Sequence, residues 1–303
     1  AYILCLQARS WNVIMANTGG WKHSTTRSAL ASFASKAKLS IRVVCWCCET
    51  LAMVSIYPPT RSLGGTRDSG SMKWQALATD YDGTIATDGV VDEPTRLALV
   101  RLKSANVRTF LVTGRELRDF GEMQGFLPIF DMVIAENGAV LYDPATGETR
   151  ALAPPPPAAF LAELTRRGVN PLGVGISIVA TREPHETTVI EVIKDLGLEL
   201  QVTFNKGAVM ILPAGVNKAS GLQAALESFG VSPTSVIGVG DAENDHAFLE
   251  LCGLPVAVAN ALPALKEKAA LVTTHSAGAG VTELIESALR GDLDSHIAVE
   301  RSQ

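Results

Sequence analysis

Cysteine is scarce and unevenly placed. The 303-residue chain has five, and four of them (Cys5, Cys45, Cys47 and Cys48) precede residue 72. The stretch "CWCC" has no second pair at zinc-ligand spacing, and His23 is the only histidine near it, so a zinc site is not expected. Cys252 stands alone in the remainder, which excludes a disulfide framework there and suits a small buried hydrophobe in a reducing compartment. Long apolar runs are also missing: nothing reaches the roughly 18 residues of a membrane span. Positive charge is short where most of the chain lies. Residues 72–303 carry 18 Lys/Arg against 29 Asp/Glu, about −11, which excludes the basic footprint that nucleic acid or an anionic membrane surface requires. A small anion could still bind where local positive groups or a metal supply the field.

The first 71 residues differ from the rest. They hold eight Lys/Arg and two acidic residues, about +6, and show no helical or strand periodicity over a useful length. They are expected to be an N-terminal extension, disordered or non-native. Their Ser/Thr-rich, acid-poor composition makes an organellar transit peptide the alternative, against a cytoplasmic location otherwise.

From residue 72 the pattern becomes regular. "QALATD", "VRTFLVTG", "DMVIAENGA", "SVIGVG" and "PVAVA" read as short buried strands. Between and after them, helices are expected from Pro94 to Asn106, around 115–125, over 218–229 closed by Gly230, near 244–252 and near 281–289. Apolar strands alternating with helices predict a parallel α/β sheet covered on both faces, which binds ligands at the carboxyl ends of its strands. Residues 148–212 interrupt this pattern. "APPPP" breaks the chain ahead of a short helix, "GVGISIVA" reads as a strand and "PHETTVIEVIKDLG" as a helix. "LELQVTFNKGAVMILP" reads as a hairpin turning at Asn205, Lys206 and Gly207. This predicts a small α+β insertion, a lid, between core segments 72–147 and 213–291, with 292–303 as a tail.

The polar residues fall at the strand ends. Asp80 and Asp82 follow the first strand, Thr113, Gly114 and Arg115 the second, and Asn137 the third. Lys218 opens a helix in "GVNKASG", and "GVGDAENDHAF" places Asp241 at a strand end with Asn244 and Asp245 entering a helix. Two carboxylates as close as Asp80 and Asp82 repel unless a cation or a proton compensates. Several carboxylates with only oxygen donors nearby suit a hard cation, Mg2+ above all. A lysine, a threonine hydroxyl and loop amides suit phosphate oxygens. A carboxylate beside both is a plausible nucleophile, and a second one can move the proton. Taken singly each motif has a plain structural role: "DG" is common in turns, Asp241 could cap a helix and Lys218 could be a solvated helix residue. Their joint order at successive strand ends is what singles them out. Arg115 is either a local salt-bridge former or a substrate contact, and Lys206 faces the same choice; His185 and His246 read as surface and helix residues.

"DYDGT", "LVTGR", "NK" and "GDAEND" resemble, in order, the four motifs of the haloacid-dehalogenase (HAD) superfamily of phosphohydrolases. The insertion resembles the C2-type cap of the Cof-type, sucrose-phosphate-phosphatase-like branch. "ENGA" (136–139) and "PVAVANA" (255–261) are similar to further stretches of that branch. The resemblance covers residues 72–290. It implies a Rossmann-like core with an inserted cap and a Mg2+-dependent phosphatase acting on a small phosphorylated metabolite, a sugar phosphate or phosphoglycolate-like ester, as a monomer or homodimer. Asp80 would be the nucleophile and a metal ligand, and Asp82 the general acid/base with its backbone carbonyl on the metal. Thr113 and Lys218 would hold the phosphoryl group, with Gly114, Asn137, Asn244 and Arg115 as further contacts. Asp241 would bind the metal directly, and Asp245 directly or through water while positioning Lys218. A phosphomutase or phosphotransferase with the same nucleophile is the alternative, and a non-catalytic binding protein a remote one. A dinucleotide-binding reading of "GVGDAE" fails because Glu243 stands where the third glycine belongs.

Overall fold

The computed structural model describes residues 74–123 and 125–295, with four short strands ahead of them. The chain divides into two units, Ala1–Ser69 and Gly70–Gln303. In the first, β1 (Tyr2–Ala8) pairs antiparallel with β2 (Trp11–Asn17), and β3 (Ser40–Ile41) with β4 (Ile56–Tyr57). No strand is expected there from periodicity, because "YILCLQA" is apolar at both alternations and gives no period-2 signal. The "CWCC" stretch lies outside the described residues.

The second unit opens with β5 (Ala76–Thr79), buried at every position. Helix α1 (Glu93–Ser104) starts where the Asp92 side chain accepts the Thr95 amide, with Pro94 in its first turn, and buries Ala98, Leu99 and Leu102 on one face. Asn106, in the left-handed region at φ +63°, turns the chain into β6 (Arg108–Val112). The helix expected around 115–125 is instead a 3-10 segment, Leu117–Met123. Gly121 and Gly125 remove the propensity a full helix needs. β7 (Met132–Ala135) follows, and then two strands the sequence reading missed, β8 (Val140–Tyr142) and β9 (Thr149–Ala151). Both pair antiparallel at the edge of the core sheet, so the chain leaves the core after residue 151 rather than at the expected 148.

The inserted layer contains α2 (Ala158–Arg166), β10 (Gly173–Val174), β11 (Val179–Arg182), α3 (Glu186–Asp195), β12 (Leu200–Asn205) and β13 (Ala208–Pro213). "GVGISIVA" is therefore two strands with a loop between them. The four strands form an antiparallel sheet in the order β10-β11-β13-β12. Phe160 and Leu164 of α2 and Val189 and Val192 of α3 pack on Val179, Val209 and Ile211, giving the cap its own small core.

The chain re-enters the core through α4 (Lys218–Phe229), begun by a reciprocal Asn217–Ser220 capping box and ended by Gly230 at φ +64°. β14 (Val236–Gly240), α5 (His246–Leu251), β15 (Leu254–Ala257), α6 (Pro263–Lys268), β16 (Leu271–Val272) and α7 (Ala277–Arg290) complete it. The core sheet runs β16-β15-β14-β5-β6-β7-β8-β9, parallel from β16 through β7. β5 lies between β14 and β6, so the polar ends of these strands are brought side by side. Among the described residues, no helix is long and apolar enough to cross a membrane.

Candidate active site

The Asp80 amide donates to the Val239 carbonyl at 3.0 Å, which carries the β5–β14 ladder one residue past the strand and delivers the Asp80 side chain to the sheet edge. Asp241 leaves the end of β14 beside it. The turn that follows is organised by Asp245, whose Oδ2 accepts the amides of Asp241 at 2.8 Å and Ala242 at 2.9 Å. That turn makes Glu243–Asp245 a 3-10 segment ahead of α5, where a continuous helix is expected from the sequence. From the first turn of α4, Lys218 Nζ reaches both Asp80 Oδ1 and Asp245 Oδ1 at 2.6 Å. All four side chains are buried, Asp245 and Lys218 to 1% exposure or less.

One buried ammonium thus serves two of the three buried carboxylates, Asp80 and Asp245. Burial, helped by the Asp245 charge and opposed by Lys218, pushes the Asp80 carboxyl up to about 7. Burial alone would lower the Lys218 ammonium, but Asp245 and Asp80 more than reverse this, and its pKa ends above the usual lysine range. Asp241 is raised too, by burial first, with Lys206 pulling the other way. Carboxylate oxygens of Asp80, Asp241 and Asp245 lie within 4.8 Å of one another. A hard-oxygen set with surplus negative charge fits a divalent cation.

Asp82 has a separate role. Its side chain is clamped by Arg115, with Nε 2.7 Å from Oδ2 and Nη2 2.6 Å from Oδ1, while the guanidinium lies 4.9 Å over the Tyr81 ring. Arg115 is therefore an ion-pair former to Asp82. The Asp82 carbonyl turns the other way and accepts from Lys206 Nζ at 3.2 Å; the same ammonium lies 2.7 Å from Asp241 Oδ2. Thr84 Oγ1 donates to Asp241 Oδ1 at 3.2 Å. Gly83 permits this approach: it sits at φ +88°, and a Cβ there would lie 2.4 Å from Asp241 Oδ2.

The remaining predicted residues form a second string. The Thr113 hydroxyl accepts the Arg115 amide at 3.1 Å, and the Thr113 carbonyl accepts that of Asn137 at 3.0 Å. Gly114 lies against Met210 of β13 and the Asn137 amide group, so a side chain there would press on both. Asn137, at φ +51°, also contacts the Met210 sulfur, and its Oδ1 accepts from Asn244 Nδ2 at 2.9 Å. Among the described residues, the buried Asn244 Oδ1 has no protein partner, leaving an acceptor for a bound group.

The sequence reading missed two positioning residues. Glu136, buried and at φ +51°, accepts the amides of Ile176 at 2.8 Å, Ser177 at 2.9 Å and Ile178 at 3.2 Å, fastening the cap loop to the core. The available signal was "GVGIS": a Cβ on Gly175 would lie 2.7 Å from the Glu136 carboxylate. Asn260 donates to the Gly83 carbonyl at 2.8 Å and accepts the Ala277 amide at 2.7 Å, steadying the loop that carries Asp82.

Comparison with known proteins agrees with this geometry. A family model described as haloacid dehalogenase-like hydrolase matches residues 77–155 and 173–285. The chain is 34% identical over 225 residues to a phosphoglycolate phosphatase of Methanothermobacter thermautotrophicus, covering 70% of this chain and 97% of that one. It is 32% identical over 222 residues to a phosphoglycolate phosphatase of Natronomonas pharaonis, covering 70% and 96%. Among solved structures, a HAD/COF-like hydrolase of Plasmodium vivax superposes with a TM-score of 0.62 at 19% identity, over 73% of this chain and 97% of that one.

Proposed function

The chain belongs to the haloacid dehalogenase-like hydrolases and is a phosphatase; on that premise we propose that, as a member of their Cof-type branch, it hydrolyses a small, phosphoglycolate-like or sugar phosphate monoester with Mg2+, through an aspartyl-phosphate on Asp80. The observation that carries this reading is the buried Asp80 carboxylate, held by Lys218 and set among Asp241 and Asp245. Its relatives named phosphoglycolate phosphatase favour a short acidic substrate.

Asp80, Asp241 and the Asp82 carbonyl would hold the cation, with Asp245 beside them. Bound there, Mg2+ would neutralise the carboxylate repulsion and polarise the phosphoryl oxygens. Lys218 and Thr113 orient the phosphoryl group so that an Asp80 oxygen lies in line with the ester bond. The Asp80 oxygen forms a bond to phosphorus as the bond to the leaving oxygen breaks, and Asp82 gives that oxygen a proton. Asp82 then takes a proton from water as it attacks phosphorus, which releases inorganic phosphate and restores Asp80. Arg115 bonds both oxygens of Asp82 in the metal-free protein, so this ion pair has to open before Asp82 carries the proton. The cap, through Met210 and Lys206, encloses the site during these steps.

A panel of phosphoglycolate, sugar phosphates and p-nitrophenyl phosphate, assayed for released phosphate with and without Mg2+, tests the reading. Asp80→Asn serves as control. Phosphate release that needs Mg2+ and disappears in the variant is expected. Metal-independent release, or full release by Asp80→Asn, contradicts the mechanism. Transfer to a second hydroxyl without free phosphate would mark a mutase or phosphotransferase instead.

A further inference from the structure

Lys206 belongs to the cap, yet its ammonium rests on the acidic cluster of the core. It is the first residue of the two-residue turn joining β12 to β13, at φ +48°, followed by Gly207 at φ +80°. Positive φ at both central positions is the geometry of a tight hairpin turn, so the hairpin sets the backbone from which the Lys206 side chain reaches the site. Nζ contacts Asp241 Oδ2 and the Asp82 carbonyl. These are two of the oxygens that a divalent cation in the proposed site would use. Mg2+ draws its oxygen ligands to about 2.1 Å, and a second positive charge on the same oxygens would be strongly repelled. Cation and ammonium therefore exclude each other.

The displaced lysine stays tethered above Asp82, the residue that protonates the leaving oxygen, so it faces the departing half of the substrate. The Asp82 carboxylate cannot become its new partner without competing with Arg115, which already bonds both of its oxygens. A negative group on the leaving alcohol meets the need. We propose that Lys206 is a specificity-determining residue: the divalent cation evicts it from Asp241 and the Asp82 carbonyl, and it then pairs with a carboxylate on the leaving group, selecting a short phosphorylated hydroxy acid over an uncharged ester of the same size. This assignment rests on the Mg2+-dependent phosphatase reading above.

Two measurements on the full chain test it, using Lys206→Met, which keeps length without charge, and Lys206→Arg, which keeps charge. In the first, Mn2+ is titrated into metal-stripped protein without substrate, and free Mn2+ is read by electron paramagnetic resonance. Lys206→Met is expected to bind Mn2+ at least about tenfold more tightly than the parent protein; equal affinity overturns the exclusion. In the second, kcat/KM for phosphoglycolate is divided by that for ethyl phosphate. The ratio is expected to fall by about tenfold or more in Lys206→Met, with part of it recovered in Lys206→Arg. An unchanged ratio overturns the specificity role while leaving the phosphatase reading intact. If the parent protein hydrolyses no ester with Mg2+, p-nitrophenyl phosphate included, the phosphatase reading falls and takes this assignment with it.

Discussion

Lys218 and Asp80 lie 138 positions apart in the chain and meet in a 2.6 Å ion pair with almost no exposure to solvent. The Asn217 cap starts the helix that presents the lysine, and the β5–β14 ladder presents the aspartate. Asp245 takes the same ammonium from its other side.

Replacing Lys218 with Met should leave Asp80 and Asp245 buried without their counter-charge. Breaking a buried pair on one side costs about 3–5 kcal/mol. Urea denaturation of metal-free protein should show a lower midpoint at constant slope, with partial recovery in Lys218→Met/Asp245→Asn. A wild-type midpoint for the single variant would mean the ammonium holds nothing together.

Asp80 gives the metal-free protein a pH dependence of definite sign. Its carboxyl titrates at about 7 when folded and at 3.8 as an unperturbed group. The folded state therefore retains a proton that the unfolded state gives up. This contribution to stability is complete below 3.8, shrinks as pH rises and is gone above about 7. Calorimetry in EDTA should show the melting temperature of the parent protein falling between these limits relative to Asp80→Asn. Parallel curves for the two proteins would contradict the raised pKa.

Asp82→Asn should separate attack from proton delivery. With an alkyl ester, loss of general acid catalysis lowers kcat by about 10^2–10^4-fold. With p-nitrophenyl phosphate, whose leaving group needs no proton, the first half-reaction should be nearly spared, and a burst of p-nitrophenolate ahead of slow turnover is expected. Equal loss of the first step with both esters would remove Asp82 from that role.

Gly83→Ala tests the close approach to Asp241. The left-handed backbone at φ +88° and a Cβ 2.4 Å from Asp241 Oδ2 both oppose the side chain. A loss of about 1–3 kcal/mol in stability is expected, together with weaker divalent-cation binding. Unchanged cation affinity, read by calorimetric titration, would show that the loop tolerates the methyl group without moving Asp241.

The strands that carry the site were legible because β5, β6 and β14 are short apolar runs whose next residues are the polar ones, so the local pattern also locates the chemistry. Lys218 was legible for a similar reason, since Asn217 and Gly230 punctuate its helix. β8 and β9 were not. They are three residues each, and every residue of β9 is exposed, so no period-2 burial signal exists to read. The bidentate hold of Arg115 on Asp82, the contacts of Lys206 and the role of Glu136 depend on where separate segments meet. For Arg115 and Lys206 the sequence left the partner open, and for Glu136 the trace is Gly175, which makes room for the approach.

Glu136 also supplies one point at which the cap is fastened to the core. It grips the loop between β10 and β11, while Lys206 sits at the opposite end of the cap strands, beyond the Arg182–Ala208 pairing. Val179 to Arg182 separates the two ends, about 10 Å at the usual strand rise. A tilt that keeps the three amide bonds makes Glu136 a fulcrum and Lys206 the tip of the lever. With an arm of that length, a rotation of about six degrees moves the tip by about 1 Å. Small rocking at a buried glutamate is thus enough to lift the lysine off Asp241.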